Sequence, residues 1–198
     1  MCRNKFYVII YTIFKPFMML LYPLKIQGRE KVPQGAALIC PNHSHAMDPF
    51  LVCFALGKKD NIHIMAKKQL MKIPLIGVFL RGLGAYGVDR GNSDLNAVKD
   101  SMRFLKEGDK VLIFPEGTRV HAQGEVQAKG GVAMLATRCQ VPLVPVYCGE
   151  RKRLFHKVPI IFGDPYEPQI QGKRATPEEN QEIADEILRR AYALKQKV

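Results

Sequence analysis

Short apolar runs alternate with amphipathic segments through the 198 residues of this chain, and the alternation predicts a mixed α/β fold. The clearest unit is a strand at residues 85–88, a helix that Ser93 caps and Gly108 ends, and a buried strand at residues 110–114. A parallel pairing of two such strands requires a right-handed crossover. The pattern therefore favours a sheet covered by helices.

The same periodicities supply the remaining elements. Further strands are predicted at residues 36–40, 61–66, 141–147 and 158–162, and helices at residues 50–56, 67–80 with a restart at Pro74, 130–139, and from 177 onwards. The last helix opens with the capping box Thr176-Pro177-Glu178-Glu179. The length suits one layered domain, a single mixed β-sheet flanked by helices, which we assign to residues 28–198.

Residues 1–27 form a separate N-terminal segment in which an apolar run, residues 6–24, is interrupted by Lys15-Pro16. We expect two short helices joined at this point and lying at the headgroup boundary, with basic side chains towards anionic lipid, rather than one spanning helix. The alternative is a soluble core helix. No small-residue cleavage site follows, so the segment is expected to be retained as a membrane-association segment.

Charge and cysteine content bound the function. Lys and Arg outnumber Asp and Glu by 30 to 18, and the net charge of +12 indicates an anionic partner such as nucleic acid, a membrane surface or a phosphorylated substrate. The five cysteines are scattered among apolar runs, as is typical of reduced core residues in a cytoplasmic compartment. We expect none of them to be a nucleophile.

The turn Pro41-Asn42-His43-Ser44-His45-Ala46-Met47-Asp48-Pro49 follows the strand at residues 36–40 and contains a histidine and a carboxylate at a useful spacing. Asp48 can hold the proton of one His43 nitrogen, which makes the other a general base. Alternatively, Asp48 is only the N-cap of the helix that Pro49 begins. His45 competes for the role of base, and the two histidines could together bind a metal, although no cysteine or carboxylate cluster completes such a site.

A second polar turn, Pro115-Glu116-Gly117-Thr118-Arg119, leaves the strand at residues 110–114. Arg119 can bind a phosphate through two hydrogen bonds, and Gly117 lets backbone N–H groups approach it. Arg90 offers a second cation. Taken singly, each arginine could equally be solvated or paired with a carboxylate.

Together these turns resemble the motifs of the glycerolipid acyltransferases. The similar segments are His43 to Asp48 (H-x4-D), Gly87-Val88-Asp89-Arg90, Phe114-Pro115-Glu116-Gly117-Thr118-Arg119 and Val141-Pro142-Leu143-Val144-Pro145-Val146, in the family's order. The resemblance covers roughly residues 35–150, and it is greatest to bacterial enzymes that acylate 1-acylglycerol-3-phosphate.

The resemblance implies acyl transfer from a thioester, acyl carrier protein or CoA, to the sn-2 hydroxyl of lysophosphatidic acid, giving phosphatidic acid without a metal or bound cofactor. It implies that His43 is the base and Asp48 its orienter. It implies that Arg119 binds the acceptor phosphate, with Glu116, Gly117 and Thr118 shaping the turn. Arg90 assists, as does Lys67 in Ala66-Lys67-Lys68-Gln69-Leu70. Pro145 is implied to shape the acyl side of the site.

We expect such an enzyme at the cytoplasmic face of the cell membrane, held to anionic lipid by its N-terminal segment, with no nucleic-acid partner. One alternative is the same chemistry on glycerol-3-phosphate or another lysophospholipid. Another is a non-catalytic basic protein that binds membrane surfaces; it would account for the charge and leave the two polar turns unexplained.

Overall fold

A computed structural model describes residues 5–89, 94–121 and 123–197. The strands in these ranges are β1 (Leu24–Gln27), β2 (Ala37–Pro41), β3 (Ile62–Lys67), β4 (Ala85–Val88), β5 (Lys110–Leu112), β6 (Leu143–Cys148) and β7 (Val158–Phe162). The helices are α1 (Lys5–Leu21), α2 (Asp48–Leu56), α3 (Lys68–Met71), α4 (Ile76–Gly82), α5 (Leu95–Lys106), α6 (Gly131–Cys139) and α7 (Pro177–Ala193). Short 3₁₀ helices occupy Arg29–Lys31 and Leu194–Lys197.

The strands form one sheet in the order β1-β7-β6-β2-β5-β3-β4. The five from β6 to β4 are parallel, whereas β7 is antiparallel to β6 and carries β1 parallel to itself. The predicted mixed α/β fold is confirmed. Every residue of the central strands β2 and β6 is buried, as expected for strands covered on both faces.

Alternate residues of each strand pack against opposite helical layers. Ala37 and Ile39 of β2 face the layer of α1, α2 and α4, whereas Leu38 and Cys40 face the layer of α5, α6 and α7. This alternation follows from the two-residue period of a strand. The result is a three-layer sandwich with an apolar core on each side of the sheet.

The carboxyl ends of β5, β2 and β6 lie side by side because these neighbours are parallel. The three connections that follow them, residues 42–47, 113–130 and 149–157, therefore meet at one edge of the sheet. In α/β folds, ligands commonly bind in the crevice outside the carboxyl ends of neighbouring parallel strands whose connections lead to opposite faces of the sheet.

The N-terminal segment differs from the prediction. It forms one helix, α1, with Pro16 inside it, rather than two helices. The Tyr7 and Tyr11 hydroxyls donate to the carbonyls of Gly57 and Phe54, and Met18 is buried beyond the proline, so contacts on both sides hold α1 together. Within the described ranges, no helix is long and apolar enough to cross a bilayer.

Several local predictions are confirmed, and one is replaced. The Thr176–Glu179 capping box is formed, and the chain restarts a helix after Pro74 as α4. The side chain of Asp94 caps α5 through the N–H groups of Asn96 and Ala97. Ser93, which was expected to cap this helix, lies outside the described residues.

Candidate active site

The turn after β2 is anchored to β6 by the side chain of Asn42. Its amide donates to the Cys148 carbonyl at 3.1 Å and accepts from the Cys148 N–H at 2.7 Å. These two bonds imitate the pairing of one more residue of strand. The next residue, His43, is therefore attached directly to the centre of the sheet.

His43 is fixed through its backbone as well as its ring. Its N–H donates to Glu116 Oε2 at 2.6 Å, and its carbonyl accepts from the Val120 N–H at 2.8 Å. The imidazole stacks on Phe114, with ring centroids 4.0 Å apart. The connection after β5 thus holds the histidine on one side.

Asp48 meets the histidine ring. Its Oδ2 lies 3.0 Å from His43 Nδ1 and also accepts from the N–H groups of Ser44 (2.8 Å) and His45 (2.7 Å). Both members of the pair are buried. Because the carboxylate accepts a hydrogen bond from Nδ1–H, the proton stays on Nδ1 and the lone pair of the imidazole is left on Nε2, where it can accept a proton from a bound hydroxyl.

This geometry excludes the capping alternative for Asp48. Helix α2 begins at Asp48 itself, with Met47 at the N-cap and no side-chain cap bond. The carboxylate points back into the preceding turn and binds N–H groups there, not those of the helix.

Lys152, in the connection after β6, completes the site from the other side. Its ammonium lies 2.6 Å from Asp48 Oδ1 and donates to Ser44 Oγ at 3.0 Å and to the Gly149 carbonyl. Burial disfavours the charged form of Asp48, but the His43 hydrogen bond and the Lys152 charge prevail and lower the pKa of the carboxyl group below its usual range. The turn therefore carries an ionised carboxylate.

Sequence reasoning missed Lys152, because Glu150-Arg151-Lys152-Arg153 reads as an ordinary solvated charge run. It also missed Tyr192 of α7, whose hydroxyl donates to Glu116 Oε1 at 2.6 Å. Tyr192 lies among apolar positions of an amphipathic helix, and no local signal marks it.

Glu116, which is predicted to help shape an anion-binding turn, has its side chain directed into the protein. It is 2% exposed, and both its oxygens accept hydrogen bonds from the protein, one from His43 N–H and one from Tyr192. Burial raises its pKa to about 7, against the two hydrogen bonds that favour the anion. The residue braces the histidine backbone, and its carboxylate is not directed to a ligand.

His45 is a poorer base than His43 in this geometry. Its Nδ1 accepts the Met47 N–H at 3.2 Å, which closes the turn. In the part of the chain that the structure describes, no group of three or more His, Cys, Asp or Glu side chains is placed to hold a metal ion.

The turn after β5 exposes its cationic end. Arg119 and Thr118 are exposed, and no carboxylate among the described residues forms an ion pair with Arg119. Gly117 has φ +67°, a left-handed conformation that favours glycine, and an added Cβ would lie 3.2 Å from Lys129 Cγ. The loop is therefore built to pass Lys129 closely and to project Arg119 into solvent.

The other predicted ligands are distributed unevenly. Lys67 is exposed at the carboxyl end of β3, on the same edge of the sheet as His43. Arg90 lies outside the described residues. Pro145 is buried in β6, where its carbonyl accepts from Gly163 N–H, and it does not line the cavity described next. The predicted acyl-side role of Pro145 therefore has no direct contact to support it.

A cavity of about 500 Å³ opens beside the site, between the sheet and the layer of α5 and α6. Its walls are mostly apolar, and the same Phe114 that stacks on His43 forms part of them. Polar groups are placed around it, namely Asp89, Asp94 and Lys129. An elongated apolar group could enter here and keep its polar end near the histidine.

Comparison with known proteins places this chain among the acyltransferases. The acyltransferase family profile matches residues 23–149, and the chain belongs to this family. The family members to which it is similar include the 1-acyl-sn-glycerol-3-phosphate acyltransferase of Bacillus subtilis (strain 168), 36% identical over 150 residues that cover 72% of this chain and 73% of that protein.

A second relative of the same name, from Streptococcus pneumoniae, is 35% identical over 145 residues, 69% of this chain and 53% of that protein. The chain thus spans about half the length of the streptococcal relative. The crystal structure of the 1-acyl-sn-glycerophosphate (LPA) acyltransferase PlsC from Thermotoga maritima superposes with a TM-score of 0.70 at 25% identity, over 96% of this chain and 79% of that one.

Proposed function

We propose that the protein transfers a fatty acyl group from a thioester to the sn-2 hydroxyl of 1-acylglycerol-3-phosphate, forming phosphatidic acid in phospholipid biosynthesis. The observation that carries this proposal is the buried His43–Asp48 pair, 3.0 Å apart, beside an apolar cavity and an exposed arginine. The names of the relatives in Bacillus and Streptococcus support the same acceptor.

In the proposed reaction, His43 Nε2 takes the proton of the acceptor hydroxyl as its oxygen attacks the thioester carbonyl. Asp48 holds the Nδ1 proton and stabilises the imidazolium that forms. Collapse of the tetrahedral intermediate breaks the C–S bond. The imidazolium then returns its proton to the departing sulfur, so that the products are the ester and a free thiol.

Lys152 has a positioning role in this scheme. By occupying Asp48 Oδ1, it leaves Oδ2 directed at His43 and keeps the carboxyl group ionised. The cation also balances the negative charge of Asp48 when the histidine is neutral.

Phosphate binding is proposed for Arg119 and Lys67, which are exposed on the same edge, and for Arg90, which lies outside the described residues. Arg119 offers a two-pronged guanidinium, Thr118 offers its exposed hydroxyl, and Lys67 and Arg90 add charge. Glu116, which is engaged with His43 and Tyr192, shapes the turn without touching the acceptor. The cavity beside Phe114 is proposed to take an acyl chain.

The donor is proposed to be acyl carrier protein or CoA thioester, with no resident metal or cofactor, since the nucleophile is the substrate's own hydroxyl. The proposed place of action is the cytoplasmic face of the cell membrane. There, α1 would rest on anionic lipid with its exposed apolar side chains, among them Ile9, Ile13 and Phe17.

Purified protein incubated with lysophosphatidic acid and either acyl-CoA or acyl carrier protein thioester tests the function directly. We expect phosphatidic acid to form with the wild type and not with His43→Ala. If glycerol-3-phosphate or another lysophospholipid is acylated and lysophosphatidic acid is not, the proposed acceptor is wrong. Salt-sensitive binding without turnover of any thioester would contradict the enzymatic role.

A further inference from the structure

Helices α3 and α4 and the turn between them, residues 68–82, form a small projection that we call the α3–α4 hairpin. It exposes large apolar side chains to solvent in unusual density, and Leu75 at its tip is 84% exposed. The others are Leu70, Ile73, Ile76 and Val78, each between 42% and 54% exposed. Five large exposed apolar side chains within nine consecutive residues indicate a contact site.

The hairpin is closed by its own hydrogen bonds and close packing. Gly77 N–H donates to the Ile73 carbonyl at 2.7 Å, and Arg81 Nη1 donates to the Met71 carbonyl at 3.0 Å. A Cβ at Gly77 would lie only 2.2 Å from the Met71 oxygen, so glycine is required for this approach. The apolar side chains are therefore held outward by a defined backbone.

The tip itself is strained. Leu75 has φ 62° and ψ −53°, and Ile76 N–H donates to the Pro74 carbonyl at 2.7 Å across it, which forms a γ-turn of the rare positive-φ kind. Such conformations are energetically costly and are found at active sites, ligand clamps and switch regions. Here the turn presents a leucine to solvent.

The hairpin surface is continuous with that of α1. Phe79 of α4 contacts Phe14 of α1 at 5.1 Å between ring centroids and Phe50 of α2 at 6.0 Å. Phe50 belongs to the helix that Asp48 begins. The apolar side chains of α1 and of the hairpin thus lie on one side of the molecule and adjoin the helix that carries the catalytic carboxylate.

The charged side chains that the hairpin and α1 themselves carry are all basic, and Asp94 of the neighbouring helix cap lies near Lys68. The sequence has no Asp or Glu between Asp60 and Asp89, and the hairpin carries Lys68, Lys72 and Arg81, all exposed. Helix α1 also lacks acidic residues. Apolar side chains flanked by cations fit the interface of an anionic bilayer. The apolar side chains can enter the acyl region, and the cations can contact the lipid phosphates.

We propose that the α3–α4 hairpin is a second lipid-docking element, inserting Leu75 and its apolar neighbours into the interface of an anionic bilayer beside α1. Two separate points of attachment fix the tilt of the molecule, which one helix cannot do. They would hold the edge of the sheet that bears His43 and Lys67 against the lipid surface. The inference deepens the proposed function, since it rests on an acceptor delivered from a membrane.

Binding of the full chain to vesicles that contain no lysophosphatidic acid tests the hairpin without requiring turnover. Vesicles of phosphatidylcholine with phosphatidylglycerol serve as the probe, and Leu75→Asp and Val78→Asp are compared with Leu95→Asp, an exposed leucine at the start of α5 in the opposite layer. We expect each hairpin variant to lower vesicle affinity about tenfold or more and Leu95→Asp to leave it within about twofold. Unchanged melting temperatures show that the variants fold.

Equal affinity of the hairpin variants and the wild type would overturn docking, whatever the enzymatic activity. Dimerisation of the wild type that Leu75→Asp abolishes, with vesicle affinity unchanged, would assign the surface to a second copy of the chain instead. Conversely, lost vesicle binding together with a wild type that turns over no thioester would support docking and remove the proposed function. The two hypotheses can therefore fail separately.

Discussion

Lys152 Nζ lies 2.6 Å from Asp48 Oδ1, in a pair whose two side chains are fully buried. Replacing Lys152 with Met leaves the carboxylate to act on the imidazole alone, which favours the protonated histidine. We expect kcat to fall roughly ten- to a hundredfold, less than the ~10²–10⁴-fold cost of losing a base, and the acid limb of the pH–rate profile to move to higher pH.

Lys157→Met, at an exposed lysine of the same connection, is the matched control and should leave both rate and profile unchanged. A purely structural role for Lys152 would lower the amount of folded enzyme without moving the pH profile. An unaltered profile in Lys152→Met would therefore remove its positioning role.

Asp48→Asn should inactivate the enzyme and also destabilise it. The amide NH₂ must face either the three donors at Oδ2 or the Lys152 ammonium, so donors meet donors in both orientations. Breaking a buried pair from one side costs roughly 3–5 kcal/mol in the free energy of unfolding. The double variant Asp48→Asn/Lys152→Met relieves the clash and should recover most of that stability while staying inactive, as urea denaturation and turnover assays would show. An active, stable Asp48→Asn enzyme would contradict the role of the carboxylate.

The two histidines of the turn should behave differently. His43→Ala should lower kcat by ~10²–10⁴-fold, since it removes the base paired with Asp48. His45→Ala should retain activity within about tenfold of the wild type, because the His45 ring receives only the Met47 N–H. Similar losses in both variants, measured at saturating substrate, would mean that the base has been assigned to the wrong residue.

Arg119→Lys should weaken capture of the acceptor and spare the donor. A guanidinium can hold a phosphate by two parallel hydrogen bonds worth roughly 1.5–3 kcal/mol each, and an ammonium reproduces only part of that. We expect KM for lysophosphatidic acid to rise by about one to two orders of magnitude and KM for the thioester to change little. Arg151→Lys, at another exposed arginine, is the control. If the thioester KM rises instead, Arg119 serves the donor.

Glu116 should make the stability of the fold pH-dependent. Its pKa rises from an ordinary 4.5 to about 7 on folding, so the native state holds a proton that the unfolded state releases across this range. Stability from this group is therefore full below about pH 4.5 and is lost as the pH rises to about 7. Glu116→Gln, whose amide can still accept from His43 N–H and donate to Tyr192, should abolish the dependence. Denaturation from pH 4.5 to 8 should show the variant gaining on the wild type until about pH 7; parallel curves would contradict this.

The success of sequence reasoning depended on how local each feature is. Strands β4 and β7 have the predicted bounds, because a short apolar run with its neighbours defines them. Strand β1 was not predicted, since Leu-Lys-Ile-Gln alternates over only four residues and becomes a strand by pairing with β7, far along the chain. Helix α1 continues through Pro16 because its packing against α2 outweighs the tendency of proline to break a helix. Helix propensity, which is read from the local sequence, does not include that packing.

The candidate site divides in the same way. His43 and Asp48 share one turn, so their spacing sufficed to predict their contact. Lys152 reaches the site from a loop, and Tyr192 from a helix, of the C-terminal part of the chain. The Glu116 side chain is directed inward because it accepts hydrogen bonds there from the Tyr192 hydroxyl and the His43 N–H. Such contacts depend on the tertiary arrangement of three strand ends, which no single segment encodes.

The side chain of Asn42 forms hydrogen bonds with both backbone groups of Cys148, and these bonds affect how the enzyme loses activity on denaturation. Because the Asn42 side chain joins β2 to β6 immediately before His43, the histidine keeps its position as long as these two strands stay paired. Warming or denaturant must part the middle of the sheet before the reacting group is misplaced. We therefore expect the turn that holds the proposed base to melt together with the central strands as one cooperative unit.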